Sequence, residues 1–253
     1  MCGRYASSRE PDDLVDEFDV AVSMVGAGIP ADYNVAPTKE VYAVLERPPA
    51  PDRGRPAPER QLRVLTWGLV PSWAKDPKIG NRMINARAET VAEKPSFRKA
   101  FAARRCVLPA DGYYEWYAGQ PDERGKPRKQ PFFIHPADDS EVLGMAGLYE
   151  IWRDPTKPDD AEDRFRWTCT VITTEAEDSL GRIHDRMPML VEREHRDQWL
   201  DPRVSGNDLL GLLVPAAPGR LVAHPVSPAV GNVANNGPEL TAPIPISEAL
   251  VEA

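Results

Sequence analysis

Cysteine is scarce: the chain has three in 253 residues, at positions 2, 106 and 169. So few, so far apart, exclude a disulfide framework and any Cys-x-x-Cys metal site. Long hydrophobic runs are missing, so no segment matches a membrane span. The opening MCGRYASSREPDD turns acidic at once and lacks the basic-then-apolar pattern of an export signal. A cytoplasmic protein is expected. No internal repeat and no dividing linker is visible, and no metal or organic cofactor is implied. What is present, 42% hydrophobic and 28% charged residues over this length, suits one soluble domain with a sizeable core.

The net charge of −8 opposes a generally nucleic-acid-binding surface, but the charge is segregated. Arg63 to Arg105 holds ten Lys/Arg against three Asp/Glu, while acid gathers in DDLVDEFD and DPTKPDDAEDR. Such segregation fits a basic face for a polyanion or a solvated helix face, and charge alone leaves both open.

Strand-like stretches bounded by Gly or Pro recur: VYAVLE, LRVLTWGLV, RCVLPA, GYYEWY, PFFIH, VLGMAGLYEIW, FRWTCTVITT, MPMLV and LVAHPVS. Helical spacing falls at EPDDLVDEFDV, at AETVAEKPSFRKAFAAR (with Phe97 and Phe101 on one face), at REHRDQWL and at NDLLGLLV. The helices are too few for a doubly wound fold, and one α+β domain with antiparallel or mixed sheets is expected. Pro- and charge-rich stretches near 47–61, 118–130 and 153–164 read as surface insertions. The tail from Val226 reads as packed extended chain.

Cys106 and Cys169 lie in apolar strand-like runs and read as small buried hydrophobes, whereas no apolar stretch surrounds Cys2. Its small side chain favours removal of Met1, which would leave a free α-amine beside a thiol. An α-amine of pKa about 7.7–8.0 is partly unprotonated near neutrality. A 1,2-aminothiol has one distinctive reaction: the amine condenses with an aldehyde, and the sulfur closes a five-membered thiazolidine. An inert second residue is the plain alternative.

In INARAET, Asn85 and Arg87 alternate along an extended segment and would share a face, one suited to an amine or oxyanion, the other to a phosphate. In DGYYEWY, Glu115 sits between Tyr114 and Trp116. Among aromatics its carboxyl pKa would rise towards the working range of an acid/base, although the alternating pattern alone favours a solvent-facing side chain. Trp116 offers a stacking face. Of four histidines, His184 in GRIHDRMP is the candidate acid/base. His195 reads as solvent-facing and His135 and His224 as structural. Asp185 adjoins His184, but neighbouring positions rarely face each other.

Taken together, MCGRYA, YNVAP, WGLVPSWA, NARAET, CVLPADGYYEW, TTEA, IHDRMP and the NNGPEL tail resemble the SOS response-associated peptidase (SRAP) family over nearly the whole chain. The resemblance implies a single domain over 2–253 with Met1 removed, its sheets in a barrel-like arrangement with peripheral helices. It implies a monomer that acts on abasic sites in single-stranded DNA, nucleoid-associated when bound. Cys2 would form a thiazolidine crosslink with the ring-opened sugar, shielding the lesion. By resemblance Asn85 positions the Cys2 backbone and the sugar. Glu115 assists ring opening and proton transfer, and His184 serves ring opening and slow reversal. Arg4, Arg87 and Arg186 would hold flanking phosphates. Asn34, Pro37, Trp73 and Trp116 would wall the splayed strand, and Thr173 and Thr174 would add phosphate contacts.

Two other classes stay open. In a thiol peptidase or N-terminal nucleophile hydrolase, the sulfur would attack an amide, and self-removal of Met1 would account for the family's label. In a passive single-strand binding module, Cys2 would be incidental.

Overall fold

The computed structural model describes residues 2–48, 50–53, 56–121, 125, 127–138, 140–176 and 178–245. Thirteen strands and four short α-helices follow one another there. The strands are β1 (Tyr5–Ser7), β2 (Val22–Ser23), β3 (Asp32–Val35), β4 (Glu40–Arg47), β5 (Glu59–Trp67), β6 (Asn85–Arg87), β7 (Arg105–Ala110), β8 (Gly112–Pro121), β9 (Pro127–Pro136), β10 (Leu143–Arg153), β11 (Phe165–Glu175), β12 (Arg186–Pro188) and β13 (Leu221–Pro225). The helices are α1 (Pro11–Glu17), α2 (Arg98–Ala103), α3 (Arg196–Leu200) and α4 (Gly206–Leu210).

The strands form two sheets. One runs β13-β9-β8-β1-β3, the other β12-β11-β10-β7-β4-β5-β2. A parallel pairing of β11 with β5, Cys169 opposite Trp67, closes β11, β10, β7, β4 and β5 into a five-stranded barrel. Closure removes two sheet edges and gives each barrel strand an inside and an outside. The expected α+β fold is present.

Burial follows from that closure. Val41, Ala43 and Leu45 of β4 join Cys106 and Leu108 of β7, Met145 of β10 and Val171 of β11 in one cluster. The alternate residues, Tyr42, Val44, Val107, Ala146, Leu148 and Ile172, pack with Leu14, Phe97, Phe101 and Trp199 from the helical segments. Helices can lie only outside a closed ring, so the first set faces inward. Cys2, Tyr5 and Tyr113 of the N-terminal segment and first sheet belong to that inward cluster.

Several sequence expectations need correction. The helix expected over AETVAEKPSFRKAFAAR shrinks to a 3-10 turn at Ala88–Thr90 and to α2. Pro95 supplies no N–H and disfavours helical geometry in the residue before it. Phe97 and Phe101 do share a buried face. The stretch 47–61 is not wholly insertion: Arg47 ends β4, Glu59–Gln61 begin β5, and Gln61 is buried. Likewise 118–130 is mostly the β8–β9 hairpin, with 122–124 and 126 outside the described residues. Between Arg153 and Arg164 the chain turns from β10 into β11, with Lys157 paired to Asp163. The tail is not simply extended, for it forms 3-10 turns at Pro228–Gly231 and Pro238–Thr241.

The basic stretch does not form one face. Arg105 is buried, Arg104 pairs with Glu150, and the Arg63 guanidinium lies 4.1 Å from the centre of the Trp167 ring. Three of its ten cations therefore serve the fold.

Candidate functional site

Two pairings build the site around the amino terminus. β1 lies between β3 and β8, with Tyr5 opposite Val35 on one side and Tyr113 on the other. The Tyr114 N–H donates to the Arg4 carbonyl at 2.9 Å, drawing GYYEW alongside the first residues. β6 runs parallel to β11, Asn85 opposite Val171, and the Asn85 Nδ2 donates to the Cys2 carbonyl at 2.7 Å. Trp67 ties the two together. Its ring meets Tyr5 edge-on at 5.3 Å and its Nε1 donates to the Ile84 carbonyl at 2.9 Å, next to Asn85.

The loop after Trp67 depends on two glycines. Gly68 has φ +133, and a Cβ on it would meet the Gly80 carbonyl oxygen at 2.8 Å; one on Gly80 would meet the Gly68 oxygen at 2.5 Å. Only two residues without side chains allow that approach. The loop then presents Trp73, 55% exposed.

Cys2 is fully buried, as are Cys106 and Cys169, so it is no exception among the cysteines. Strand pairing rather than local sequence covers it. Burial, and next to it the charge of Glu115, pushes its thiol well above the ordinary range. Glu115 is 3% exposed, against the solvent-facing position its pattern favoured. Burial raises its carboxyl pKa, with His184 pulling the other way. Its Oε2 lies 4.0 Å from His184 Nε2. The opposite ring nitrogen, Nδ1, has the Arg186 N–H at 3.0 Å and Asp185 Oδ1 at 2.9 Å. Asp185 thus does face His184, because the chain turns there before entering β12. Nδ1 therefore meets a donor and an acceptor at once, while Nε2 is the ring atom that faces Glu115.

Asn85 Oδ1 and the Tyr113 hydroxyl are among the buried polar atoms here that have no hydrogen-bond partner among the described residues. Burial, Cys2 and Glu115, in that order, hold the Tyr113 phenol well above its ordinary pKa.

The candidate DNA contacts divide into groups. Asn34 is buried and wholly engaged. Its Oδ1 accepts from Arg4 Nη1 at 2.6 Å, while its Nδ2 donates to the carbonyls of Val230, Asn232 and Asn235 at 3.3, 3.0 and 2.9 Å. It positions Arg4, whose guanidinium stands 5.8 Å from the centre of the Trp116 ring. Pro37 is half-buried, and Thr38 after it holds φ 75, a strained value for a β-branched residue. Arg87 is exposed on β6, level with Thr173. Arg186 grips Glu89 with two nitrogens, at 2.5 and 3.1 Å, and donates to the Thr173 carbonyl at 2.6 Å. The Thr173 and Thr174 side chains are buried.

Sequence reasoning passed over Trp67, Tyr113, Glu89 and the tail carbonyls that cage Asn34. The NNGPEL motif was the one signal for the cage. No group of three or more His, Cys, Asp or Glu residues is placed to hold a metal, and no helix is long and apolar enough to cross a membrane, among the described residues. Cavities of about 420 and 450 Å³ lie beside Trp199 and beside Glu17, and no candidate residue lines either.

The profile of the family described as SOS response associated peptidase (SRAP) matches residues 1–233. The chain belongs to this family. It is 38% identical over 241 residues to the abasic site processing protein YoqW of Bacillus subtilis (strain 168), covering 95% of this chain and 98% of that one. It is 32% identical to the abasic site processing protein YedK of Escherichia coli (strain K12), over 96% of this chain and all of that one. Against HMCES of Xenopus tropicalis, also named an abasic site processing protein, it is 30% identical, covering 98% and 80%. A crystal structure of a Bacteroides thetaiotaomicron protein superposes with a TM-score of 0.76 at 25% identity, covering 96% of this SRAP chain and all of that one.

Proposed function

We propose that this SRAP protein processes abasic sites in single-stranded DNA by capturing them covalently. The observation that carries the reading is the site around Cys2. Asn85 holds its carbonyl, and the buried Glu115 acts electrostatically on its thiol and faces His184 across 4.0 Å. The relatives' names point to the same lesion.

The encoded nitrogen of Cys2 is locked in a peptide bond to Met1, so removal of Met1 comes first. The freed amine adds to the C1′ aldehyde of the opened sugar. The resulting carbinolamine loses water to an imine, and Sγ adds to C1′ as the C1′–N π pair returns to nitrogen, which takes up the thiol proton. One water leaves, and C1′ ends bonded to both nitrogen and sulfur. Glu115, its carboxyl pKa raised by burial, moves protons between nitrogen and departing oxygen, with His184 as its relay. The order is set by charge: a thiol buried beside a carboxylate resists ionisation, so nitrogen attacks and sulfur follows. The same fact disfavours the thiol peptidase, which needs a thiolate at the start.

A single-stranded substrate suits the chemistry. A site without a base has nothing to unstack, so kinking there costs little. Arg4, Arg87 and Arg186 would grip the phosphates, with Pro37, Trp73 and Trp116 against the splayed strand.

Intact-mass measurement after incubation with an oligonucleotide bearing one abasic site tests the reading. The expected adduct equals the chain without Met1 plus the oligonucleotide minus one water, and Cys2→Ala forms none. An adduct that persists in Cys2→Ala, or that retains Met1, overturns it.

A further inference from the structure

We propose that Tyr113 is a further catalytic group: its hydroxyl donates a hydrogen bond to the oxygen on C1′ while the Cys2 nitrogen adds there. The proposal rests on the crosslinking reading above and deepens it.

Tyr113 lies two residues before Glu115 on β8, so the two side chains leave the strand on the same face. It pairs across the sheet with Tyr5, three residues after Cys2, and shares the inward cluster with Cys2. The residue is 1% exposed, and its hydroxyl finds no partner among the described residues. A buried hydroxyl without a partner destabilises a fold, and phenylalanine would fill the same space without that cost. Packing alone gives no reason for the oxygen. It is also an available donor, bonded neither to the Cys2 sulfur nor to Glu115.

A second orphan belongs to the residue that holds Cys2 and is of the opposite kind. Asn85 Oδ1 can only accept, and its amide nitrogen already holds the Cys2 carbonyl. The reaction requires such a pair. As the nitrogen lone pair forms the N–C1′ bond, the C1′–O π pair withdraws onto oxygen. The adding amine must give up a proton, and the oxygen needs a donor until it leaves as water. Asn85 Oδ1 accepts from the amine N–H, and Tyr113 donates to the oxygen. Burial keeps the phenol protonated, so Tyr113 lends a hydrogen bond and keeps its proton, while Glu115 and His184 transfer protons.

Tyr114 supplies the control. It points the other way from the same strand, and its hydroxyl donates to the Tyr33 carbonyl at 2.8 Å. Single-turnover adduct formation, adduct reversal, oligonucleotide affinity and melting temperature are measured for wild type, Tyr113→Phe and Tyr114→Phe. Tyr113→Phe should form the adduct about 10–100-fold more slowly, at the lower edge of what losing one such donor costs. Reversal should slow by the same factor, since both directions share one transition state. Its affinity should stay at the wild-type level and its melting temperature should hold or rise. Tyr114→Phe should melt lower and react at the wild-type rate. Tyr113→Phe reacting at the wild-type rate overturns the proposal, as does a slower rate accompanied by a lower melting temperature. If wild type itself forms no adduct, the crosslinking reading fails, which is a separate result.

Discussion

Arg105 and Glu115 are both buried charged side chains, and the protein treats them in opposite ways. Under the helices, the Arg105 guanidinium makes five hydrogen bonds to the carbonyls of Phe101, Ala102, Trp199, Asp201 and Val204. Burial brings its pKa down to about 10, so it stays a cation at neutrality and ties the ends of α2 and α3 to β7. Nearby, Trp199 Nε1 donates to the Cys106 carbonyl at 2.9 Å and Arg196 binds Glu17. Beside the amino terminus, Glu115 faces an imidazole at 4.0 Å, and Asn85 Oδ1 and the Tyr113 hydroxyl lack partners among the described residues. One region uses its buried polar groups to fix the fold. Under the proposal above, the other keeps Asn85 Oδ1 and the Tyr113 hydroxyl for a substrate and lowers stability to do so.

The sharpest way to break that contrast is to exchange the expected outcomes. Arg105→Met strands several buried carbonyls, and stability should fall by about 3 kcal/mol or more. In a chain of this size that lowers the melting temperature by roughly 6–12 °C. The folded fraction should crosslink DNA at the wild-type rate. A slower rate in that fraction would show that the two regions are coupled.

Glu115→Gln should behave in reverse. Loss of a positioned acid/base slows adduct formation about 100-fold, while oligonucleotide affinity holds. Stability should move the other way, and its sign follows from the raised carboxyl pKa. A carboxyl whose folded pKa exceeds the unfolded one contributes its full stability below the unfolded value. That contribution is lost as pH rises through the folded value, where the buried carboxylate must ionise. Glutamine stays neutral throughout. The variant should therefore melt above wild type at neutral pH, with the gap closing in acid below the ordinary carboxylate range. A variant that melts lower at neutral pH would mark Glu115 as a structural ion.

Asn34→Ala carries a smaller expected effect and refines the contrast, since Asn34 is a satisfied group serving the reactive region. Its loss frees Arg4 from one anchor and removes a donor from three tail carbonyls, of which Val230 keeps Arg4 and Asn232 keeps the Asn235 N–H. Affinity for single-stranded DNA should drop about tenfold, with the rate from the bound state nearly unchanged. Equal affinity would remove Arg4 from the DNA contacts.

The sequence made the chemistry more legible than the architecture. Cys2, Asn85, Glu115 and His184 stand in short motifs whose residue types announce what they can do. Strands also read well from Gly and Pro punctuation. The barrel-like arrangement came only with the family resemblance, because β5 and β11 lie about a hundred residues apart and no periodic pattern encodes which distant edge a strand will meet. The alternating pattern alone pointed Glu115 to solvent for the same reason, since alternation predicts one wet face only while a strand keeps one face uncovered. The carbonyls that enclose Asn34 were nearly hidden, with the NNGPEL motif their one signal. Arg104 and Arg105 inflated a basic stretch whose charges turned out to serve the fold.

Glu89 gives the finest test, because it stands where the two strategies meet. Arg186 is held in an ion pair as Arg105 is held by carbonyls, yet its partner is a carboxylate 46% exposed, which a phosphate can displace. Any phosphate reaching Arg186 competes with Glu89, so the pair lowers affinity for phosphate even as it orients the guanidinium. Glu89→Gln removes the competing charge and leaves Arg186 anchored to the Thr173 carbonyl. Because the Glu89 end of the pair is half exposed and screened, its net worth is of the order of 1 kcal/mol or less, and affinity for single-stranded DNA should rise about two- to fivefold at low salt. The gain should shrink as salt rises, since screening weakens the ion pair and the phosphate contacts together. It should also be flat across neutral pH, because Arg186 holds the Glu89 carboxyl below its usual range and keeps it ionised there. Unchanged or weaker binding in titrations at two salt concentrations would mean that Arg186, like Arg105, belongs to the scaffold, and the line between the two regions would have to be drawn closer to Cys2.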